Sequence, residues 1–391
     1  MTSKLLVLML SPFAFGTGAY VFTGLLDPMA IDLGVSVPVV GQLQSAFAIA
    51  SALGGPVLAV MTSRYERKRL LVVVLFGLAV ANAASAMAGL FSTLVVARIA
   101  AGLVGALTLP VASAIAVGLV GPEKRAPALA FVFSGMSLAF LIGIPVGSFV
   151  GAAYGWPASF WLATLIALFA AGASAVAIPK IGHVPAPPEG AFQAALRPPA
   201  KSLLAVTFLS FVATFASVAF IGPLVTALTG LEGGDIGWMQ LFIGIGSLVG
   251  LALGARLATS RGLTALTPLM LVVMVTQGMF TLGLLAELTP LRGIISTAII
   301  IFTGSAALFA LAPIVQAALA EIAGPAATVA FALNGSVVFL GQGLGAVLGG
   351  GVIAQSSLTW TGLAGAGVAV LAFHATRRVR AFHLHESKPA I

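Results

Sequence analysis

Gly135-Met-Ser-Leu-Ala-Phe-Leu-Ile-Gly143-Ile-Pro145-Val-Gly147-Ser-Phe-Val-Gly151 is the stretch whose reading decides how this chain folds. Its four glycines are separated by multiples of four residues, so on a helix they share one slowly drifting face. Each glycine weakens a helix interior by about 1 kcal/mol relative to alanine, and Pro145 adds a larger penalty and a kink. A helix that tolerates this needs a compensating contact. In a bilayer, small residues at four-residue spacing allow the backbone of a second helix to approach closely. The pattern recurs: Gly335, Gly343 and Gly351 follow Gly135, Gly143 and Gly151 by 200 positions, and Ala330-Phe331 follows Ala130-Phe131 at the same offset. A chain of 391 residues repeating itself at half its length is expected to be a duplicated structure.

Composition places that structure in a membrane. Sixty percent of the residues are hydrophobic, 7% are charged, and the mean hydropathy is +1.15. Soluble domains carry about 25% charged residues, so a water-soluble globule is excluded. There are no cysteines, hence no disulfide and no thiolate metal site. The net charge of +8 is spread over segment ends, without the clustered basic surface that nucleic-acid binding needs.

Apolar runs of bilayer-spanning length fall at 5–30, 38–61, 70–91, 94–119, 127–153 and 159–178, and again at 202–228, 237–258, 264–286, 293–319, 327–353 and 360–376. The expectation is an all-α membrane protein: a six-helix bundle over 1–178, a cytoplasmic linker over 179–201, and a second six-helix bundle over 202–391 with a short basic tail. Sixteen of the eighteen Lys and Arg residues fall on the side of the membrane shared by both termini. By the positive-inside rule that side is the cytoplasm. Arg292 lies in an opposite loop, and Arg98 lies inside a span. The apolar start is read as a span and not a signal peptide, because Phe22 and Gly24 have counterparts in Phe220 and Gly222, 198 positions on.

In these features the chain resembles the major facilitator superfamily, within its twelve-span drug:proton antiporter group and the arabinose-efflux-permease-like branch. Gly143-Ile-Pro145-Val-Gly147 resembles the antiporter motif of that group's fifth span, and Arg98-Ile-Ala-Ala-Gly102-Leu-Val-Gly105 its motif with an intramembrane arginine. Gly121-Pro-Glu-Lys-Arg125, Gly155-Trp156, Phe220-Ile-Gly-Pro223, Pro313, Gln316 and the run from Asn334 to Gly345-Ala fit as well. The departures are at ionisable positions. Ser63 stands where an acid is usual before Arg64, and Glu66 replaces a glycine before Arg67 and Lys68. Thr259 replaces the acid of the second-half copy. Gly18-Ala19-Tyr20 lacks a first-span glutamate, and Gly105-Ala106 stands where a fourth-span histidine is often found in related exporters.

The resemblance implies a central site lined by spans one, four, seven and ten and flanked by two, five, eight and eleven. On that basis Tyr20, Thr23, Arg98, Thr214, Gln316 and Asn334 are the expected solute contacts. Gly143, Pro145 and Gly147 are expected to pack and gate, with Arg64, Arg67 and Lys68 as a cytoplasmic latch or a topology signal alone. A charge in mid-span costs about 2.5–3.5 kcal/mol and ordinarily faces a partner or a watery cavity, so Arg98 either serves function or snorkels to the interface. Asp27, before Pro28 near the end of the first span, is with Arg98 the proton-coupling candidate. Against this stands the reading of Asp27 as a solvated helix end. Glu287 reads as a surface residue, and His374, His383 and His385 as tail residues. No acid lies in mid-span, which disfavours cationic solutes.

The function expected is secondary active export of a small neutral, amphiphilic or anionic solute by alternating access with proton antiport. The alternatives are a proton-independent facilitator or uptake symporter, and, from another class, a transporter-like receptor that moves nothing. No enzyme is expected, since no paired acid, nucleophile–base or metal constellation is present. No cofactor or metal is expected, and the partners are the solute, protons and the lipid bilayer of a bacterial inner membrane, for a monomer.

Overall fold

The computed structural model describes residues 2–180, 190–286 and 288–386, and these are predominantly helical, with no strand among them. The expected linker is therefore described only at its two ends, and Glu287 lies outside the described residues, as do the last five. The side chains of His383 and His385 are likewise outside what is described. In chain order the helices are α1 Thr2–Tyr20, α2 Leu26–Asp32, α3 Val37–Met61, α4 Arg67–Ala86, α5 Phe91–Gly105, α6 Thr108–Gly118, α7 Arg125–Leu138, α8 Ile144–Tyr154 and α9 Trp156–Ala177. They continue with α10 Ala191–Ala195, α11 Pro198–Val218, α12 Ile221–Thr229, α13 Ile236–Ser260, α14 Leu266–Leu285, α15 Pro290–Ala323, α16 Ala327–Gln355 and α17 Thr361–Glu386. Among the described residues, eleven membrane-length apolar segments follow the first span, several built from two of these helices in series, such as Phe91–Gly118 and Pro127–Tyr154. The first span is α1, carrying Pro12, then a turn over residues 21–24, then α2.

Local chemistry sets the boundaries. Glu66 caps α4, its carboxylate accepting the backbone N–H groups of Lys68 and Arg69, each at 3.0 Å. The glutamate that departs from the family pattern is thus the residue that starts the third span. Gly155, at φ +85°, reverses the chain between α8 and α9, and Pro157 sits in the first turn of α9, where its missing N–H costs nothing. Phe169 is 67% exposed and Val176 87%. Apolar side chains this exposed over whole helix faces are stable against lipid tails and not against water.

By packing, the chain forms two units. The first gathers the chain up to the linker together with residues 221–226 and 231–244; the second gathers the rest. In the first unit α1 packs on α6, α7 and α9, while α4 packs on α5 and α9. In the second, α11 packs on α16 and α17, and α14 on α15 and α17. Each unit is thus built around its own first long helix.

Candidate functional site

The glycine-bearing fifth span lies along α1. A Cβ at Gly135 would collide with the Met9 carbonyl oxygen, one at Gly143 with Thr17 Oγ1, one at Gly147 with Val21 and one at Gly151 with Leu25. The glycines remove the side chains that would hold the two helices apart. Eight residues of α-helix turn through 80° beyond two full turns, roughly, which would carry Gly143 off the face of Gly135. A π turn at Ala139–Gly143 winds more slowly and takes up part of that drift. Pro145 then sits in the first turn of α8, where a proline is tolerated.

The second-half copy is in a different register from the one expected. Nothing lies within 4 Å of a Cβ built at Gly335 or Gly351. The close approach is made instead by Gly341, Gly345 and Gly349, facing the carbonyl oxygens of Phe208, Val212 and Ala216 on α11. These glycines follow Gly143, Gly147 and Gly151 by 198 positions, the offset that also relates Phe22 and Gly24 to Phe220 and Gly222. Two residues of slip turn a helix position through about 200°, so the 200-residue match selects the opposite side of α16.

Arg98 is fully buried in α5 and is bound to the end of α1. Its Nη1 donates to the Gly18 carbonyl at 2.8 Å and its Nη2 to the Ala19 carbonyl at 3.0 Å. Both carbonyls belong to the last turn of α1, where the backbone ladder runs out; Thr23 N–H bonds to the Tyr20 carbonyl instead. The guanidinium carbon also stands 4.4 Å from the Phe47 ring centre, 5.1 Å from Phe22 and 5.5 Å from Phe160. Hydrogen bonds to a charged group contribute about 1.5–3 kcal/mol each, and desolvated cation–π contacts up to about 2 kcal/mol. Together they offset the cost of burying the charge. Arg98 therefore closes the broken end of the first span, where the helix dipole also favours a cation.

Immediately beyond that break is a polar node that sequence reasoning missed. Gln240 of α13 is fully buried; Ser148 Oγ donates to its Oε1 at 2.7 Å, and its Nε2 faces Thr23 Oγ1 at 3.4 Å. Thr23 Oγ1 in turn donates to the Tyr20 carbonyl at 2.9 Å, and the Thr23 carbonyl receives Gly222 N–H at 3.3 Å. Gly24 leaves the space for this node, since a Cβ there would strike the Ser148 hydroxyl and the Gln240 amide. The available signal was an amide inside the apolar run Met239-Gln240-Leu241 and a serine inside the glycine stretch itself. Tyr20, also buried, has its ring centre 5.1 Å from that of Phe140 in the π turn. The first unit thus brings Tyr20, Thr23 and Arg98 to one end of α1.

Asp27 lies half-buried in α2, with Glu232 as a neighbouring charge. Asp32, one turn on, accepts the Trp156 indole N–H at 2.8 Å and so ties α2 to the start of α9. In the second unit, Thr214 on α11 and Asn334 on α16 are buried, and Thr214 Oγ1 and Asn334 Oδ1 lack a protein hydrogen-bond partner. Gln277 joins them, its Oε1 buried and unpaired beside Gly365. Gln316 is exposed on α15. Of the basic loop, Arg64 is exposed, while Arg67 and Lys68 in the first turn of α4 are half-buried. No group of three or more His, Cys, Asp or Glu side chains able to hold a metal occurs among the described residues.

The Major Facilitator Superfamily model matches residues 8–329. The chloramphenicol resistance protein of Streptomyces lividans is 34% identical over 285 residues, covering 70% of this chain and 71% of that one. The inner membrane transport protein YdhP of Escherichia coli K12 is 30% identical over 351 residues, covering 89% and 88%. Among solved structures, a bacterial homologue of the human lysosomal transporter Spinster superposes with a TM-score of 0.75 at 15% identity, covering 99% of this chain and 98% of that one. That likeness establishes the fold. Family and relatives alike are membrane transporters and not enzymes, and together with the glycine-bearing span and the intramembrane arginine they have one reading: the chain belongs to the major facilitator superfamily.

Proposed function

We propose that this protein exports a small organic solute by alternating access, in exchange for protons. The observation that carries the reading is the close seam between the first and fifth spans, where Gly143 and Gly147 make room for the Thr17 and Val21 side chains. A seam of this kind lets two helices approach closely, and in the antiporter group this motif belongs to exporters. The name of the Streptomyces relative supports an organic, uncharged cargo such as chloramphenicol.

Arg98 supplies the buried charge near the Tyr20 and Thr23 end of α1, and a positive field there favours neutral, amphiphilic or anionic solutes over cations. Thr214 and Asn334, with unpaired buried oxygens, are the proposed contacts from the second unit, and Gln316 completes the set from α15. Asp27 is the proposed proton carrier. The chain is proposed to act as a monomer in a bacterial inner membrane, with both termini cytoplasmic, as the distribution of its Lys and Arg residues favours. Two six-helix bundles, 1–178 and 202–391, joined by a cytoplasmic linker, are proposed as the moving parts.

The test is radiolabelled chloramphenicol in inside-out membrane vesicles. Uphill accumulation driven by an imposed pH gradient, abolished by a protonophore and by Asp27→Asn, is expected. Flux indifferent to the gradient would leave export by facilitation and remove proton antiport.

A further inference from the structure

Along α13 the partners change within three residues. A Cβ at Gly237 would press on the Pro145 carbonyl and the Phe149 ring, and one at Gly244 would collide with the backbone of Leu141 in the π turn. From Gly246 onward the contacts are with α15: Gly246, Gly250 and Gly254 face the carbonyl oxygens of Phe302, Ala306 and Ala310. Gly244 and Gly246 point about 200° apart on the helix. Packing divides the molecule at the same place, since residues 231–244 belong with the first unit and residues from 245 with the second. One continuous helix therefore carries two glycine faces for two different neighbours, joined at Gly244-Ile-Gly246.

The turns bearing the first of these faces carry a fully buried polar group, the Gln240 amide. It is held by Ser148 at 2.7 Å and reaches Thr23 at 3.4 Å. We propose that Gln240 is a positioning residue of the transport cycle: its amide locks the first turns of α13, and with them α12, onto α1 and α8, and Gly244-Ile-Gly246 is the joint at which they come away. The proposal rests on the transport reading above. An amide–hydroxyl bond suits a contact that must open and close. Both partners re-form their bonds with water when separated, so the bond gives direction and register with little net stabilisation. On either side of the amide the Phe149 ring seats on Gly237 and stands 5.2 Å from the Trp238 ring, and Gly244 meets the Leu141 backbone, so the contact is close and apolar around it. The Gly222 N–H bond to the Thr23 carbonyl brings α12 into the same lock.

The chain has no cysteine, so introduced thiols are its only labelling sites. Met87→Cys and Asp235→Cys, both exposed positions of the first unit, carry spin labels for pulsed electron-spin distance measurement in lipid nanodiscs. With Gln240 present, the short distance is expected to dominate. Gln240→Leu keeps the volume and removes the amide, and the ratio of long to short distances is expected to rise about five-fold, the weight of one net hydrogen bond. Ser148→Ala removes only the bond to Oε1 and is expected to shift the ratio in the same direction by no more than this, and the double variant to match Gln240→Leu, since the leucine has already removed the bond the alanine would. Distance distributions unchanged by Gln240→Leu, or shifts that simply add in the double variant, overturn the lock. Chloramphenicol flux is measured on the same variants. A distance shift without flux in any of them leaves the lock standing and removes the transport reading, while flux with unchanged distances removes the lock alone.

Discussion

Alanine placed at Gly135 and at Gly335 should move stability in opposite directions. The two glycines occupy matching positions in the sequence repeat, 200 residues apart, and both lie inside long helices. In each, alanine gains about 0.8–1 kcal/mol of helix propensity. At Gly335 nothing lies within 4 Å of the new methyl, so that gain is kept. At Gly135 the methyl runs into the Met9 carbonyl oxygen and stands 2.8 Å from Pro12 Cγ. Neither can rotate aside, because one is backbone and the other a ring fused to it. Restoring ordinary contact requires α7 and α1 to part by roughly 1 Å, which forfeits a quarter to a half of the dispersion energy of the contacts beside it. Overpacking of this kind costs about 1–3 kcal/mol. The net expectation is a loss of about 0–2 kcal/mol for Gly135→Ala and a gain of up to about 1 kcal/mol for Gly335→Ala, a separation of about 1–3 kcal/mol. Thermal unfolding of the detergent-purified variants, followed by size-exclusion monodispersity, reads the difference. Equal shifts in the two variants, or a Gly135→Ala protein at least as stable as Gly335→Ala, would refute the assignment of which glycine faces a helix.

Three further expectations concern the first unit. Leucine at Gly143 or Gly147, pressed against Thr17 or Val21, should leave membrane abundance near that of the native protein and stop transport; native flux in either variant would sink the role of that seam. Arg98→Lys keeps the charge and loses the paired donation to the Gly18 and Ala19 carbonyls, so it should lower the unfolding midpoint clearly, and an unchanged midpoint would show that charge alone suffices. Trp156→Phe removes the 2.8 Å bond to Asp32 while keeping the ring contact to Phe160, and should cost up to about 1.5–3 kcal/mol, read as faster proteolysis at the α2–α3 turn.

Span number and the arginine in the fourth span were legible from residue chemistry, because a bilayer demands length and apolarity and punishes buried charge. The tight seam in the fifth span was legible for the same kind of reason, four glycines and a proline being too costly in a helix without a return. The register of the repeat was not. Offsets of 198 and 200 both align glycines in span eleven, and only the contacts of Gly341, Gly345 and Gly349 with α11 distinguish the packed stripe from the open one. The break after Tyr20 was also hidden, since residues 21–24 carry no charge or proline to mark it. Without the break, the partners of Arg98 could not be named, because the carbonyls that hold it are invisible in side-chain sequence. Gln240 was passed over because one amide in an apolar run has many possible partners, and its own were set by Ser148 and Thr23, about 90 and 220 residues away.

The pairing of Arg98 with the end of α1 also bears on how the protein is made. During synthesis α1 enters the membrane before α5, which carries a charge that lipid alone accepts at a cost of about 2.5–3.5 kcal/mol. The two carbonyls and the Phe22 ring that receive the guanidinium are by then already in the bilayer. An α1 that stays close by until α5 arrives therefore lowers the cost of inserting the arginine. A circular permutant that translates α1 last would release the arginine-bearing helix with no partner waiting, and its fate would be retention or degradation long before solute flux came into question.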